Sequence, residues 1–394
     1  MLVRNYATTR RYRRLLVPVM LRVVLRCFFG AHPRALLAML RVQLGRAVRW
    51  LPSRVRRLRD GVAMPVTLSI VDDVACRAAC SNCVFTAFAD RHETLSLADL
   101  DRLFREALAM NVTNVYLMGA DPFYRPNAAD VVDLLARHRG QLFFLFTEGK
   151  RLDDAHLDRI RRAGNVFPVL NVDGLREATD RRKGEGSFDA TDRLLARMRD
   201  LRMPFFVTTM VSRANFDEVT SAAYVRWLED RGAWLLAYLP YTPVDRHADG
   251  ALEMDAALRE TLFDRSIALN REVRRLAVLD LLGIEQHLTS CPAAVWSMCV
   301  YHDGTLTPCP AVAMGRADSD VRRRPLRDVF LNDPLYRELR ALHAAAAPGA
   351  PVHCLFYTDP AFFKAYLAEH RDEVRVLNPG VAARIEQSGE GGDA

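Results

Sequence analysis

Apolar runs of four to seven residues alternate with amphipathic stretches through the middle of the chain. Six runs predict buried strands: Val66–Val71, Val115–Met118, Leu142–Thr147, Val166–Val172, Phe205–Val211 and Trp234–Tyr238. Stretches of helical period separate or follow them, near Ser96–Met110, Asp130–His138, Asp153–Arg162, Thr191–Leu201, Phe216–Arg231 and Asp255–Arg274. This alternation predicts an α/β fold of six β/α units, with a parallel sheet or barrel whose chemistry lies at the carboxyl ends of the strands.

The segment before the first strand has a different pattern. Between Pro33 and Pro52 the apolar residues recur three or four positions apart on one helical face, at Leu37, Leu40, Leu44, Val48 and Leu51. Arg41, Arg46 and Arg49 are displaced from that face. The pattern favours a helix lying in a membrane interface, and the alternative is a helical lid packed on the following domain. No apolar run reaches the ~20 residues that cross a bilayer.

Charge separates this arm from the rest of the chain. Residues 1–64 contain 15 Arg and one acid, Asp60, and therefore carry a net charge of +14. Because the whole chain carries +7, the remaining 330 residues sum to −7. An acidic body is unsuited to binding nucleic acid through a broad positive surface. We therefore expect no nucleic acid partner, and a cytoplasmic protein held peripherally on the inner face of a membrane by a basic arm.

Eight cysteines in 394 residues are too few for a disulfide scaffold, so their positions matter more than their number. Cys76, Cys80 and Cys83 have the spacing C-x3-C-x2-C directly after the first predicted strand. A structural zinc site needs four protein ligands, and nothing near residue 83 supplies the fourth. Three close cysteines instead suit an iron-sulfur cluster with one iron left for a ligand outside the protein.

With this motif the sequence resembles the radical S-adenosylmethionine (SAM) superfamily. The predicted second strand ends in Gly119-Ala120-Asp121-Pro122, where that family usually has Gly-Gly-Glu-Pro. The resemblance implies a partial (β/α)6 TIM-like barrel, a 4Fe-4S cluster on the three cysteines, and SAM bound beside Gly119, Ala120 and Asp121. It also implies a cofactor-lining role for Glu148 and Asp173, for which the alternative is a solvated loop carboxylate or a helix cap.

Four later cysteines, Cys291, Cys299, Cys309 and Cys354, surround a predicted hairpin turn at Asp303-Gly304. Their arrangement resembles the SPASM or twitch extension of radical SAM enzymes and implies one auxiliary 4Fe-4S cluster. Cys291, Cys309 and Cys354 form the expected ligand set. Cys299 is either the fourth ligand or a buried thiol, and zinc on all four cysteines is the alternative.

The expected organisation is an N-terminal helical arm (1–63), a radical SAM core (64–285), a small C-terminal iron-sulfur domain (286–372) and a tail (373–394). The resemblance implies that an external one-electron donor, such as flavodoxin or ferredoxin, drives reductive SAM cleavage. The resulting 5′-deoxyadenosyl radical would take hydrogen from an unactivated substrate carbon. The basic arm favours a membrane lipid chain as substrate. The alternatives are a ribosomally made peptide or protein and, third, a non-catalytic iron-sulfur protein.

Overall fold

A computed structural model describes residues 17–19, 21–23, 25, 30–76, 80–88, 92–287, 290–346, 354–357 and 360–387. Cys27 and the last residues, 388–394, lie outside these ranges. In the described ranges no helix is both long and apolar enough to cross a membrane.

Seven parallel strands form the centre of the molecule: β1 (Thr67–Val71), β2 (Asn114–Met118), β3 (Leu142–Thr147), β4 (Val166–Asn171), β5 (Phe206–Val211), β6 (Leu235–Pro240) and β7 (Ala277–Asp280). They pair in chain order, each parallel to the next. The prediction of an α/β fold with a mainly parallel sheet is confirmed. The four-residue strand β7 was not predicted.

Helices connect these strands: α2 (Leu97–Ala109), α3 (Ala128–Arg137), α4 (Asp154–Ala163), α5 (Arg176–Lys183), α6 (Ser187–Asp200), α7 (Phe216–Val219), α8 (Ala222–Asp230) and α9 (Ala256–Leu269), after α1 (Pro33–Asp60). The single helix predicted over Phe216–Arg231 is wrong, because Ser221 accepts a hydrogen bond from Tyr224 N (3.2 Å) and starts a new helix. The helix α5 was also missed.

The C-terminal part of the chain continues the same sheet. Strand β8 (Ser297–Val300) pairs in parallel with β1, and β9 (Leu306–Thr307) returns antiparallel to β8 through the predicted turn, with Gly304 at φ +84°. The remaining elements are α10 (Leu281–His287), β10 (Met314–Arg316), α11 (Leu326–Asn332), α12 (Pro334–Ala345), α13 (Ala361–Glu369), β11 (Val374–Val376) and α14 (Pro379–Gln387).

The tail predicted from residue 373 is wrong in its first part. Strand β11 pairs antiparallel with β10, and α14 buries Val381 and Ile385 completely. The Asn378 side chain donates a hydrogen bond to Val84 O (3.3 Å), on the short 3₁₀ helix after the first cysteine cluster. These residues therefore pack onto the core, because their apolar side chains and backbone groups find partners there.

The basic arm lies across the amino ends of the central strands. Val42 of α1 is fully buried and shares an apolar cluster with Leu142 at the start of β3, Phe167 in β4 and Trp234 just before β6. At the same end of the sheet, Arg49 Nε donates to Asn111 Oδ1 (3.1 Å), before β2. The helical-lid alternative is thus present in the structure, at the end of the barrel opposite to the carboxyl ends of the strands.

The same helix exposes the apolar face that the sequence pattern identified. Leu37 is 60% exposed, Leu44 69% and Val48 78%, whereas Ala35, Ala38 and Val42 face the barrel. The sequence pattern identified only the exposed apolar face of α1. A second face, made of small side chains and Val42, contacts the core.

Replacing a buried or an exposed valine of α1 with aspartate tests how this helix packs on the barrel. We expect Val42→Asp to lower the free energy of unfolding by about 2–4 kcal/mol, because it buries an unpaired carboxylate. Val48→Asp, on the exposed face of the same helix, should change it by less than about 0.5 kcal/mol. Urea unfolding followed by circular dichroism measures both variants, and equal effects would contradict the described orientation of α1.

Candidate active site

The first cysteine cluster lies on the loop that leaves the carboxyl end of β1. Cys76 Sγ accepts a hydrogen bond from Asp121 N (3.5 Å), and the Cys80 thiol lies 4.0 Å from Glu148 Oε2. Burial raises the pKa of Cys80 to about 11 and also raises the pKa of Cys83. Without a metal the thiols are therefore held protonated, and binding iron would release those protons.

The donor chemistry of this loop fits an iron-sulfur cluster. The seven described cysteines are all free thiols. Cys83 feels the charge of Cys76, and Cys80 feels that of Cys83, so the three side chains are neighbours. Within the described ranges, however, no three Cys, His, Asp or Glu side chains already stand as a formed metal cage. The cysteine loop therefore supplies the ligand types that an iron-sulfur cluster needs.

A tight backbone contact holds the cysteine loop against the end of β2. Ala120 N donates to Asp73 O at 2.7 Å. Gly119 has φ +112°, and a Cβ placed on it would lie 2.4 Å from the same Asp73 oxygen. Only glycine fits this approach, because a side chain at position 119 would meet the backbone of the cysteine loop.

Asp121 is fixed by donors from three directions. One carboxylate oxygen accepts from Phe123 N (3.0 Å), and the other accepts from Thr147 Oγ1 (2.8 Å) and Glu148 N (2.9 Å). Burial raises the pKa of Asp121, although these donors oppose the shift. The carboxylate thus joins the ends of β2 and β3.

Glu148 is buried beside the cysteine loop at the end of β3. Its carboxylate accepts a short hydrogen bond from Tyr124 OH and lies 3.8 Å from Lys150 Nζ. Burial, reinforced by the Glu148 charge, raises the pKa of Tyr124. Tyr124 therefore stays protonated and donates, which orients Glu148 toward Cys80.

Asp173 is also buried, and Arg182 is its partner. Its oxygens accept a short hydrogen bond from Arg182 Nη1 and one from Met210 N (2.8 Å). Glu148 and Asp173 are only 8% and 2% exposed. The alternative that they are solvated loop carboxylates is thus excluded.

Arg182 joins this carboxylate to the cysteine loop. Its Nε donates to Ser81 O (3.1 Å), while Ser81 N donates to Arg182 O (3.3 Å). Although burial opposes it, the charges of Asp173, Cys80 and Cys83 raise the pKa of Arg182. The neighbouring Lys183 is buried too, donates to Asn171 O, and has its pKa lowered by burial. Two cations therefore lie close to the thiols, where they would stabilise bound thiolates.

Arg125 provides a third cation at this rim. It bridges Asp72 (2.9 Å) and Asp73 (3.0 Å), the two residues between β1 and the cysteines. Burial raises the pKa of Asp72 to about 6, against the opposing effect of Arg125. Sequence reasoning missed Arg125, Arg182 and Lys183. The only available signal was the run Arg181-Arg182-Lys183, which is equally typical of a solvated helix.

The late cysteines form a second group in the C-terminal region. A hydrogen bond from the Cys291 thiol lowers the pKa of Cys354 to about 7 despite its burial. Cys309 feels the charge of Cys354, and burial raises its pKa to about 12. Cys299 is different: it is fully buried within β8, and its thiol donates to Val300 O at 3.9 Å. The structure thus brings Cys291, Cys309 and Cys354 together, with Cys299 inside the neighbouring strand.

Comparison of the sequence with known proteins finds a matching family and several relatives. The profile of the Radical SAM superfamily matches residues 73–223. Mycofactocin maturase MftC from Mycobacterium ulcerans (strain Agy99) is 26% identical over 318 residues, covering 77% of this chain and 84% of the relative. PqqA peptide cyclase from Methylobacterium sp. (strain 4-46) is 26% identical over 300 residues, covering 70% and 76%.

Solved structures share the fold. Streptococcus suis SuiB bound to the precursor peptide SuiA superposes with a TM-score of 0.60 at 15% identity, covering 73% of this chain and 69% of that chain. The enzyme anSMEcpe with bound AdoMet and the Kp18Cys peptide gives a TM-score of 0.55 at 15% identity, covering 70% and 82%.

The Arg182 contacts give a stability prediction that needs no cofactor. We expect Arg182→Gln to lower the free energy of unfolding by about 3 kcal/mol, because it leaves the buried Asp173 carboxylate without its partner. The matched change Arg181→Gln removes an exposed pair with Glu177 and should cost under about 1 kcal/mol. Urea unfolding of the metal-free chain measures both. If Arg182→Gln were as mild as Arg181→Gln, the ion pair would not hold this rim together.

Proposed function

We propose that this chain, which belongs to the radical SAM superfamily and is an enzyme of that kind, modifies a peptide or protein substrate. The observation that carries the proposal is that its relatives are named for peptides or are seen bound to them. PqqA peptide cyclase is named for a peptide, and SuiB, which shares the fold, is seen with a precursor peptide. These relatives support the peptide hypothesis, which the sequence placed second, over the lipid hypothesis.

The position of the arm also weakens the lipid hypothesis. That hypothesis required the arm to hold the barrel mouth against a membrane. Helix α1 instead packs at the amino ends of the strands, through Val42, while the cysteine loop follows the carboxyl end of β1. Strands of five or six residues separate the two ends by roughly 16–20 Å. An arm docked on a membrane would therefore leave the mouth directed away from it.

Membership of the superfamily implies a 4Fe-4S cluster and SAM, and we assign the cluster to Cys76, Cys80 and Cys83. When bound, the two groups supply reductive SAM cleavage and a 5′-deoxyadenosyl radical that takes hydrogen from a substrate carbon, with electrons from an external donor such as flavodoxin or ferredoxin. Lys183 and Arg182 lie close enough to feel the charge of Cys80, and they would offset the charge of the thiolates.

The neighbouring carboxylates and backbone would hold the rest of the cofactor. Gly119 and Ala120 lead into Asp121, which donates its backbone N–H to the Cys76 thiol. Glu148 is oriented by Tyr124, and Asp173 by Arg182 and Met210 N. We assign to these three carboxylates the role of accepting hydrogen bonds from the ammonium and hydroxyl groups of SAM, because they are buried acceptors around the cysteine loop.

For the C-terminal region we propose one auxiliary 4Fe-4S cluster on Cys291, Cys309 and Cys354. The hydrogen bond between Cys291 and Cys354, the electrostatic effect of Cys354 on Cys309 and that of Cys309 on Cys291 support this set. Cys299 is better described as a buried thiol, since it lies in the middle of a paired strand between Ser69 and Thr307. An auxiliary cluster with three protein ligands would keep one iron available to a substrate or another ligand.

Deuterium transfer distinguishes the substrate classes. The anaerobically reconstituted, reduced protein is incubated with SAM and either a perdeuterated peptide pool or perdeuterated phospholipid. We expect 5′-deoxyadenosine to gain deuterium from the peptide pool, because hydrogen abstraction moves the substrate atom to the 5′ carbon. Mass spectrometry of the nucleoside measures the transfer, and Cys76→Ala/Cys80→Ala/Cys83→Ala is the control that should yield no 5′-deoxyadenosine.

Deuterium gained from the phospholipid alone would overturn the peptide proposal and restore the lipid hypothesis. Equal 5′-deoxyadenosine from the wild type and the triple variant would instead show that these three cysteines do not hold the reacting cluster.

A further inference from the structure

A basic cavity lies between the arm and the amino ends of the strands, on the side of the barrel away from the cysteine loop. It has a volume of about 470 Å³. Its charged lining consists of five arginines: Arg22, Arg199, Arg202, Arg274 and Arg275. Leu25 and the buried Trp234 contribute apolar walls. The cavity thus combines guanidinium groups with apolar surface, and it plays no part in the proposed chemistry.

The charged residues that line this cavity all carry the same sign. No Asp or Glu is among the described residues that line it. Asp200 pairs with one of the five arginines, Arg199, at 3.0 Å, and Glu229 accepts from the backbone N–H of Arg274 at 2.8 Å. The described lining is therefore basic.

The arginines that line the cavity indicate the chemistry of a ligand. Guanidinium forks match the oxygens of a phosphate group. The cavity is therefore suited to a phosphate-bearing ligand.

The rim of the cavity is unusually apolar for a basic surface. Val17, Leu21 and Leu25 recur every four residues in helical segments and are each about half exposed, and Leu25 also lines the cavity. Among the described residues, nine of the twelve large apolar side chains recorded as exposed belong to residues 17–55. Apolar side chains gathered around arginines are typical of surfaces that enter the headgroup region of a membrane.

We propose that the cavity binds the headgroup phosphate of an anionic phospholipid, while Leu21, Leu25 and the exposed face of α1 enter the membrane interface. A soluble phosphate or an acidic peptide would match the arginines but would leave the apolar rim in water. The proposal is independent of the substrate, since the cavity and the cysteine loop lie at opposite ends of the strands.

Vesicle sedimentation of the full chain tests the proposal. Wild type is compared on vesicles of phosphatidylcholine alone and with 30% phosphatidylglycerol. We expect Arg274→Gln/Arg275→Gln to weaken binding to the anionic vesicles at least tenfold, and Leu21→Ser/Leu25→Ser to do the same. Arg337→Gln/Arg371→Gln removes the same charge from exposed sites elsewhere and should change binding less than twofold. If the cavity variant fails to fold by circular dichroism, Arg199→Gln/Arg202→Gln replaces it.

Two further titrations separate the lipid from other sources of negative charge. Isothermal titration of the wild type with inorganic phosphate and with a hexaglutamate peptide should give binding at least tenfold weaker than that of the anionic vesicles. Tighter binding of either soluble probe that depends on Arg274 and Arg275 would overturn the lipid assignment. Anionic-vesicle binding by the cavity variant equal to that of the wild type would overturn it as well.

Discussion

The common direction of the strands decides where every functional group of this protein lies. Strands β1 to β7 run parallel, so all their carboxyl ends open on one rim and all their amino ends on the other. The cysteine loop and the turns carrying Asp121, Glu148 and Asp173 follow carboxyl ends and meet there. The basic arm covers the opposite end. The protein thereby separates the surface that carries the cysteine loop from the surface that carries its excess positive charge.

At the reactive rim, a few buried polar contacts fasten loops that have little apolar side-chain surface of their own. The backbone bond from Ala120 to Asp73 ties β2 to the cysteine loop. Arg182, in α5, ties Asp173, which follows β4, to Ser81 of the cysteine loop. Because these groups are buried, each lost partner would leave a charge or donor unsatisfied. These buried contacts therefore fix the positions of the loops at the rim.

Much of this architecture was readable from the sequence. The strands at 142–147 and 166–171 were found because continuous apolar runs mark strands buried on both faces. The strand Ala277–Asp280 was not predicted because it has only four residues and helix α10 follows it directly, with no turn residue between them. The cysteine spacing and Gly119 identified the candidate site, since both constraints are local in the chain.

Features that depend on tertiary contacts could not be predicted from the sequence. Arg182 and Arg181 are neighbours in one basic run, yet one is buried against Asp173 and the other is exposed. Cys299 and Cys309 both flank the hairpin turn, and only the strand pairing distinguishes them. The sequence pattern located the larger apolar residues of α1 on one face. It gave no sign that the smaller residues Ala35 and Ala38 face the barrel.

The central claim is that Cys76, Cys80 and Cys83 hold the cluster to which SAM binds. Low-temperature electron paramagnetic resonance of the reconstituted, reduced protein tests it directly. We expect a 4Fe-4S signal that changes when SAM is added, and no SAM-dependent change after Cys76→Ala/Cys80→Ala/Cys83→Ala. A SAM-dependent change that persists in this variant and disappears in Cys291→Ala/Cys309→Ala/Cys354→Ala would contradict it.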